Sequence, residues 1–273
     1  MPFLETRDRT TLFFNDWGTG APVVLIHGWP LNSDMWEHQA SYLARQGLRV
    51  VAYDRRGFGR SSQPWSGYDY DTFADDLAAL MEHLDLRDAT LVGFSMGGGE
   101  VARYLARHGD ARVRKAVLLA AVTPFLLKTE EHLNGIEPKV FMEMQDQLTK
   151  DRPAFLAGFN KIFYGSSLLK HPVSSEVLEW SRFLAFQASL HATQMAMSAW
   201  STTDFRQDLR TIRVPTLVIH GDADAACPAE VSGQEAAKLV AGAALKIYEG
   251  APHGLFITHR DQLNADLVSF IRS

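Results

Sequence analysis

The sequence predicts an α/β protein in which helices flank a mostly parallel central sheet and a helical cap is inserted into that arrangement. Three observations favour this fold class. Short apolar runs recur along the chain, segments of helical period separate them, and one long helical segment interrupts their alternation. A chain of 273 residues is long for one domain, but a single α/β domain with an insertion accommodates it.

Six short apolar runs predict the strands of the sheet. They are rich in β-branched residues and bounded by turn residues, as expected for strands that are buried on both faces. The runs cover residues 23–26, 50–52, 90–92, 116–119, 216–219 and 245–248. Between them lie segments such as residues 73–84, where apolar side chains recur at helical spacing. Strands and helices therefore alternate, which indicates a parallel sheet.

The alternation stops between residues 123 and 203, where the chain becomes helical in period and rich in aromatic residues and methionine. This segment begins directly after a predicted strand. Ligands of open α/β sheets bind outside the carboxyl ends of the strands, so the segment is expected to cover a ligand site. We predict a core of residues 1–122 and 204–273 and a helical cap of residues 123–203.

Composition excludes several classes of function. A net charge of −5 without a Lys/Arg cluster argues against a nucleic-acid partner. The only cysteine, Cys227, rules out an intrachain disulfide, and no Cys/His group has zinc-site spacing, so we expect neither a metal nor another cofactor. No apolar stretch approaches the roughly 20 residues of a membrane span, and residues 1–20 lack a secretory signal, which predicts a cytoplasmic protein with no membrane partner.

The strongest chemical signal is a G-x-S-x-G motif between a predicted strand and a predicted helix. The run at residues 90–92 leads into Gly93, Ser95 and Gly97, and a helix-like segment begins near Glu100. Such a nucleophile elbow holds its serine exposed on a tight, strained turn that leaves no room for side chains at the two glycines. We therefore predict that Ser95 is a nucleophile rather than part of an ordinary Gly/Ser loop.

A serine hydroxyl needs a base to accept its proton, and in elbow enzymes an acid and then a histidine follow the serine along the chain. Asp222 and Asp224 follow the predicted strand at residues 216–219, and His253 follows the strand at residues 245–248. This order predicts a catalytic triad with His253 as the base. Spacing alone leaves open which aspartate is the acid, since aspartates in such loops also shape turns.

The loop that follows the strand at residues 23–26 is expected to form part of an oxyanion hole. An acyl-transfer intermediate needs two N–H donors, here the backbone of Met96 after the nucleophile and that of Trp29 in this earlier loop. Pro30 fixes its own φ and should stiffen the loop. We interpret His27 as a structural hydrogen-bonding residue and not as a base.

Five motifs together resemble one group of enzymes. The segments HGWP, DRRGFGRSS, GFSMGGGE, HGDAD and APHG are similar to those of the bacterial aryl esterases and cofactor-free haloperoxidases, or perhydrolases, of the α/β-hydrolase fold. The similarity extends nearly from end to end and is weakest across the cap. It implies that Ser95 is the nucleophile, Asp224 the acid and His253 the base, with the N–H groups of Trp29 and Met96 as the oxyanion hole.

The resemblance also implies an activity. Members of this group hydrolyse small esters, and many use hydrogen peroxide in place of water to form peracids, which oxidise halide without metal or haem. In the group, a proline after the oxyanion residue, here Pro30, accompanies perhydrolysis, and members form trimers or dimers of trimers. Closely similar proteins open γ-lactams, so a lactamase is the second enzymatic hypothesis. A small-ligand receptor that has lost turnover is a hypothesis of another class.

The substrate pocket is expected beneath the cap. The aromatic residues of the cap could line this pocket or pack on one another. Ala225 and Ala226 stand where the group often has an apolar residue after the acid, which is expected to widen the pocket. The candidate pocket residues are Pro30, Phe125, Phe159, Phe163, Trp200 and Ala226.

Overall fold

A computed structural model describes residues 2–273 of the protein, and its centre is an eight-stranded sheet. The strands are β1 (Phe3–Glu5), β2 (Thr11–Trp17), β3 (Pro22–Ile26), β4 (Arg49–Tyr53), β5 (Ala89–Phe94), β6 (Val113–Leu119), β7 (Thr216–Gly221) and β8 (Ala244–Tyr248). Their order across the sheet is β1-β2-β4-β3-β5-β6-β7-β8. All pairings from β4 to β8 are parallel, which confirms the predicted sheet. The antiparallel β1 and β2 at one edge were not predicted.

Helices connect the strands and cover both faces of the sheet. They are α1 (Glu37–Arg45), α2 (Tyr70–His83), α3 (Met96–His108), α4 (Pro138–Lys150), α5 (Arg152–Phe163), α6 (Ser175–Phe186), α7 (Leu190–Thr202), α8 (Arg206–Thr211), α9 (Gly233–Leu239), α10 (Leu255–Thr258) and α11 (Arg260–Arg272). None of them has both the length and the apolar character needed to cross a membrane within the part of the chain that is described.

The alternation of side chains along the central strands divides the core into two layers. On β3, Val24 and Ile26 pack on the face that carries α2 and α3, whereas Val23 and Leu25 pack on the face that carries α1 and α11. All four side chains are fully buried. Burial of each such side chain contributes about 1.5–3 kcal/mol, so these strands add strongly to the stability of the sheet.

Two parts of the sheet differ in burial. The central strands are buried along their lengths, as predicted, but on β8 Leu245 and Ile247 are 41% and 39% exposed. β8 is the last strand at its edge of the sheet, so helices and neighbouring strands cover it less completely than they cover β5 or β6.

The helices α4 to α7 lie in the long connection between β6 and β7, inside the predicted cap segment. Side-chain caps mark the starts of three of them: Asp151 accepts from the backbone of α5, Ser174 from that of α6 and Ser189 from that of α7. The boundaries of the cap at residues 123 and 203 stay a prediction.

The strand order reverses next to β3, which lies between β4 and β5. The chain runs from β3 outward to β4 and then returns to β5 on the other side. At such a switch point the loops beyond neighbouring strands separate and leave a crevice for a ligand. Ile26 of β3 pairs with Gly93 of β5, so the loop after β3 and the turn after β5 begin side by side.

Candidate active site

The turn after β5 has the strained geometry of a nucleophile elbow. Ser95 has a φ of +54°, a left-handed backbone conformation that residues other than glycine rarely adopt. A Cβ on Gly93 would lie 2.3 Å from the carbonyl oxygen of Gly97, and a Cβ on Gly97 would lie 2.5 Å from that of Ile26. Only glycine fits at both positions, so the motif is required by the close approach of β5, α3 and β3.

Three side chains from distant parts of the chain meet at this turn. His253 Nε2 lies 3.0 Å from Ser95 Oγ, and His253 Nδ1 lies 2.6 Å from Asp224 Oδ2. Ser95, Asp224 and His253 are 6%, 5% and 3% exposed. The three side chains are therefore largely buried, which strengthens the electrostatic interactions among them.

Backbone groups fix the carboxylate of Asp224. Its Oδ1 accepts hydrogen bonds from the N–H groups of Ala226 at 3.0 Å and Cys227 at 2.8 Å. Burial alone would raise the pKa of Asp224, but the neighbouring His253 and His220 outweigh burial and hold that pKa well below its usual range. Asp224 is therefore ionised at every pH at which the protein is expected to work.

Asp222, the other candidate acid, does not contact the histidine. It is exposed, and its Oδ1 accepts a hydrogen bond from the Gly250 N–H at 2.6 Å. This bond ties the loop after β7 to the loop after β8, which carries His253. Of the two aspartates whose roles spacing left open, Asp224 is the one that contacts His253.

Aromatic rings hold the His253 imidazole in place. The rings of Phe94 and Phe163 both lie 4.9 Å from it, centroid to centroid. The Gly254 N–H donates to the Phe163 carbonyl oxygen at 2.7 Å, so α5 also anchors the histidine loop. A segment between β6 and β7 thus helps to position a residue that follows β8.

The two predicted oxyanion donors have free N–H groups. Neither the Trp29 nor the Met96 N–H finds an acceptor among residues 2–273. Met96 is the first residue of α3, so its N–H has no partner within the helix. A Cβ on Gly28 would lie 2.8 Å from Ser95 Cβ, which shows how closely the loop before Trp29 passes the serine.

His27 is buried behind this loop and does not contact Ser95. Its Nε2 accepts the Arg55 N–H at 3.0 Å, and its Nδ1 lies 3.0 Å from the Gly28 carbonyl oxygen. Burial and the nearby Arg55 guanidinium lower the pKa of His27 to about 3. His27 is therefore a neutral imidazole that joins two loops.

A cavity of about 770 Å³ opens above the serine. Aromatic rings form one wall, where Trp29 meets Phe159 and Trp200 at centroid distances of 5.2 and 5.7 Å. The small residues Ala225 and Ala226 lie on another side. The remaining lining comes mainly from α4 and α5, with the polar residues Gln147, Lys150 and Asp151 where these helices meet. The cavity has the size and apolar character of a small-molecule site.

The predicted pocket residues divide into two groups. Phe159, Trp200 and Ala226 line the cavity, whereas Pro30, Phe125 and Phe163 do not. Phe163 lies one turn beyond Phe159 on α5 and faces His253 and the core instead. Phe125 packs beside the His132 ring and beneath the Arg206 guanidinium. Pro30 is buried in its loop after a cis peptide bond.

Two parts of the site were not predicted from the sequence. One is the contribution of α4, whose Val140, Phe141 and Met144 line the cavity. The apolar pattern of that helix was readable, but nothing in it indicates which face meets the serine. The other is His220, which lies 3.2 Å from Asp224 Oδ2. Its place in the HGDAD motif was the available signal. Within residues 2–273, no three His, Cys, Asp or Glu side chains are grouped as a metal site requires.

A strained serine after a parallel strand, a histidine that bridges it to a buried aspartate, and a long helical segment between β6 and β7 define a class of protein. The chain belongs to the α/β-hydrolase fold family, which it matches over residues 21–260.

Comparison with individual proteins confirms the narrower resemblance. The chain is 44% identical to a non-heme haloperoxidase of Rhodococcus erythropolis and 43% identical to a bifunctional esterase/perhydrolase of Acinetobacter calcoaceticus, each over the full length of both chains. Among solved structures it is similar to a bromoperoxidase from Bacillus anthracis, with a TM-score of 0.94 and 44% identity over 97% of this chain and 96% of that one.

Proposed function

We propose that the protein hydrolyses esters of carboxylic acids through an acyl-enzyme on Ser95, and that hydrogen peroxide can replace water in the second half of the reaction. One observation carries the proposal: a single imidazole, His253, lies within hydrogen-bond distance of both Ser95 Oγ and Asp224 Oδ2. The relatives named as a haloperoxidase and an esterase/perhydrolase support the same chemistry.

In the first half of the proposed reaction, Ser95 Oγ attacks the ester carbonyl while His253 Nε2 takes the hydroxyl proton. The carboxylate of Asp224 accepts the His253 Nδ1–H and so keeps the lone pair on Nε2, facing the serine. Negative charge develops on the carbonyl oxygen, and the N–H groups of Trp29 and Met96 stabilise it. His253 then gives its proton to the departing alcohol or phenol, which leaves the acyl group on Ser95.

In the second half of the reaction, a water molecule or hydrogen peroxide enters the space that the alcohol or phenol has left. His253 removes its proton as the oxygen attacks the acyl carbon, and Ser95 recovers that proton when the bond to Oγ breaks. Water gives a carboxylic acid, and hydrogen peroxide gives a peracid. Each step balances with the protein's own proton carriers, so the cycle requires no metal or other cofactor.

The apolar lining of the cavity favours an uncharged, apolar substrate. Its wall of Trp29, Phe159 and Trp200 suits an aryl or branched alkyl group, and its volume of about 770 Å³ exceeds the needs of an acetate ester. A small cyclic amide such as a γ-lactam also fits this description, and it remains an alternative substrate.

We also propose the domain division, assembly and location that the sequence predicts. Residues 123–203 act as the cap of a core formed by residues 1–122 and 204–273. The protein works in the cytoplasm as a trimer or a dimer of trimers, with no nucleic acid or membrane as a partner. The resemblance supports the assembly, and light scattering on the purified chain tests it. The single cysteine is compatible with a reducing compartment.

Steady-state hydrolysis of p-nitrophenyl acetate, with and without hydrogen peroxide, tests the proposal. Ser95→Ala should lose at least about a thousandfold in kcat, while the matched control Ser175→Ala, an exposed serine of α6, should keep wild-type activity. Peracid is detected by bromide-dependent bromination of a dye. Turnover that survives in Ser95→Ala would refute the mechanism.

The same assay separates the alternatives. Ser95-dependent hydrolysis without peracid would leave a plain esterase, and faster turnover of a γ-lactam than of the ester would indicate a lactamase. Stoichiometric labelling of Ser95 by a fluorophosphonate would argue against a receptor that lacks turnover, because only an activated serine reacts readily.

A further inference from the structure

His220 is a fully buried histidine beside the proposed catalytic acid, and the proton transfers described above do not use it. It lies near the end of β7, four residues before Asp224. Its Nε2 is 2.8 Å from the carbonyl oxygen of Cys227 and 3.2 Å from Asp224 Oδ2. The Cys227 carbonyl is thus the nearest partner of this nitrogen, and the Ser232 hydroxyl lies farther away, at 3.4 Å.

The surroundings of the ring determine which nitrogen carries the hydrogen. His220 Nδ1 has no hydrogen-bond partner in the described part of the chain, and it faces Gly233, where an added Cβ would lie 2.5 Å from it. A buried N–H without an acceptor costs about 1–3 kcal/mol. The hydrogen therefore resides on Nε2, between the two oxygen atoms, and Gly233 leaves the ring just enough room.

Three consecutive contacts join His220 to the proposed base. The His220 Nε2–H donates to the Cys227 carbonyl oxygen, and the Cys227 N–H donates to Asp224 Oδ1 at 2.8 Å. Asp224 Oδ2 in turn lies 2.6 Å from His253 Nδ1. The imidazole of His220 thus anchors the turn of residues 224–227, and the Asp224 carboxylate in that turn orients the imidazole of His253.

We infer that His220 is a positioning residue for the reaction: it holds the turn of residues 224–227 so that Asp224 Oδ2 stays directed at the His253 Nδ1–H. The inference rests on the proposed function. Without the His220 donor, the buried Cys227 carbonyl keeps only a long 3.5 Å contact with the Ser232 hydroxyl, which already donates to the Pro228 carbonyl at 2.5 Å. The turn can recover a good hydrogen bond only by moving. Such a movement rotates the carboxylate away from His253. A misplacement of about 1 Å in a catalytic arrangement can cost about a hundredfold in rate.

Two amide variants test the inference because they differ only in reach. The side-chain nitrogen of His220→Gln can occupy the position of Nε2, whereas that of His220→Asn is one bond shorter and cannot reach the Cys227 carbonyl. We expect His220→Asn to lower kcat by about ten- to a hundredfold with KM changed less than about twofold. His220→Gln should recover most of the lost kcat.

A second readout does not depend on turnover. The proton between His253 Nδ1 and Asp224 should give a far-downfield proton NMR resonance, because a short bond to a carboxylate deshields it. The resonance should persist in wild type and in His220→Gln and shift or broaden in His220→Asn. A merely structural residue would change Tm without separating kcat from KM and without moving this resonance selectively.

The outcomes decide the inference. It is supported if Asn and Gln differ as described, and it is overturned if folded His220→Asn keeps wild-type kcat and an unshifted resonance. It is also overturned if both variants lose kcat equally while their resonances stay unchanged. Should His220→Asn fail to fold, Gly233→Ala displaces the ring instead, and the same two readouts apply. Because the resonance is recorded without substrate, failure of the proposed function, seen as activity in Ser95→Ala, remains distinguishable.

Discussion

Replacing Asp224 by asparagine should abolish most of the activity by reversing one hydrogen bond. The geometry fixes how the new amide must lie. Asp224 Oδ1 accepts two backbone N–H groups, those of Ala226 and Cys227, so an asparagine oxygen must take that place. The opposite orientation would leave two buried N–H donors facing an NH₂ group, at about 1–3 kcal/mol for each lost bond.

The asparagine nitrogen then faces His253 Nδ1 at the position of Oδ2, 2.6 Å from it in the wild-type protein. Since that nitrogen is a donor, Nδ1 must become an acceptor, and the imidazole hydrogen moves to Nε2. An Nε2 that carries hydrogen cannot accept the proton of Ser95. A wrong tautomer of this kind lowers kcat by about 10⁴, which corresponds to about 5.4 kcal/mol in the activation free energy.

Single-turnover release of p-nitrophenol, with enzyme in excess over p-nitrophenyl acetate, measures the acylation rate of Asp224→Asn directly. Asp222→Asn is the matched control, because Asp222 lies in the same loop but is exposed and contacts Gly250 rather than His253. The control should remain within about threefold of wild type. If Asp224→Asn loses less than about tenfold, the tautomer argument is refuted.

Three further outcomes are expected. Gly158→Phe should fill open space at the cavity wall and lower kcat/KM about tenfold or more for p-nitrophenyl esters of bulky acids while sparing the acetate, as steady-state kinetics would reveal. Gly97→Ala should destabilise the fold by at least about 1–3 kcal/mol in urea titrations, because its Cβ meets a backbone oxygen at 2.5 Å, whereas Gly158→Ala meets nothing and should not destabilise it. His27 has a pKa of about 3 when folded against about 6.5 when unfolded, so the unfolded chain binds more protons between these values. The contribution of His27 to stability is complete above about pH 6.5 and is lost as the pH falls, by about 1.4 kcal/mol per pH unit. The unfolding free energy of a His27→Gln variant should therefore fall less steeply than that of wild type between pH 6 and 4.

Much of the fold could be predicted from the sequence because the central strands follow one physical rule. Strands β3 to β7 are buried on both faces, so their apolar runs are nearly continuous. β1 and β2 were not predicted, because β2 (Thr11–Trp17) contains polar residues and β1 has only three residues. Edge strands need less burial and therefore carry a weaker signal.

The candidate site divides along a similar line. Ser95 and His253 could be found because each lies in a short motif that follows a strand, and the carboxyl ends of parallel strands lie at one edge of the sheet. The same rule left Asp222 and Asp224 open as the acid, and only the family resemblance favoured Asp224. The contacts of His220 could not be predicted, since a turn of four residues decides whether its imidazole meets the acid. The face of α4 that reaches the cavity is also set by packing between helices, which no local pattern records.

The separation of the reacting residues along the chain has a consequence for the order of events in folding. Ser95 and His253 are 158 residues apart, and parallel strands bring them together only after the intervening segment has folded. Contacts between such remote positions form late, because closing long loops is entropically costly. In a refolding experiment the helical circular dichroism signal should therefore return well before enzymatic activity. The appearance of esterase activity would then report that the whole sheet has formed.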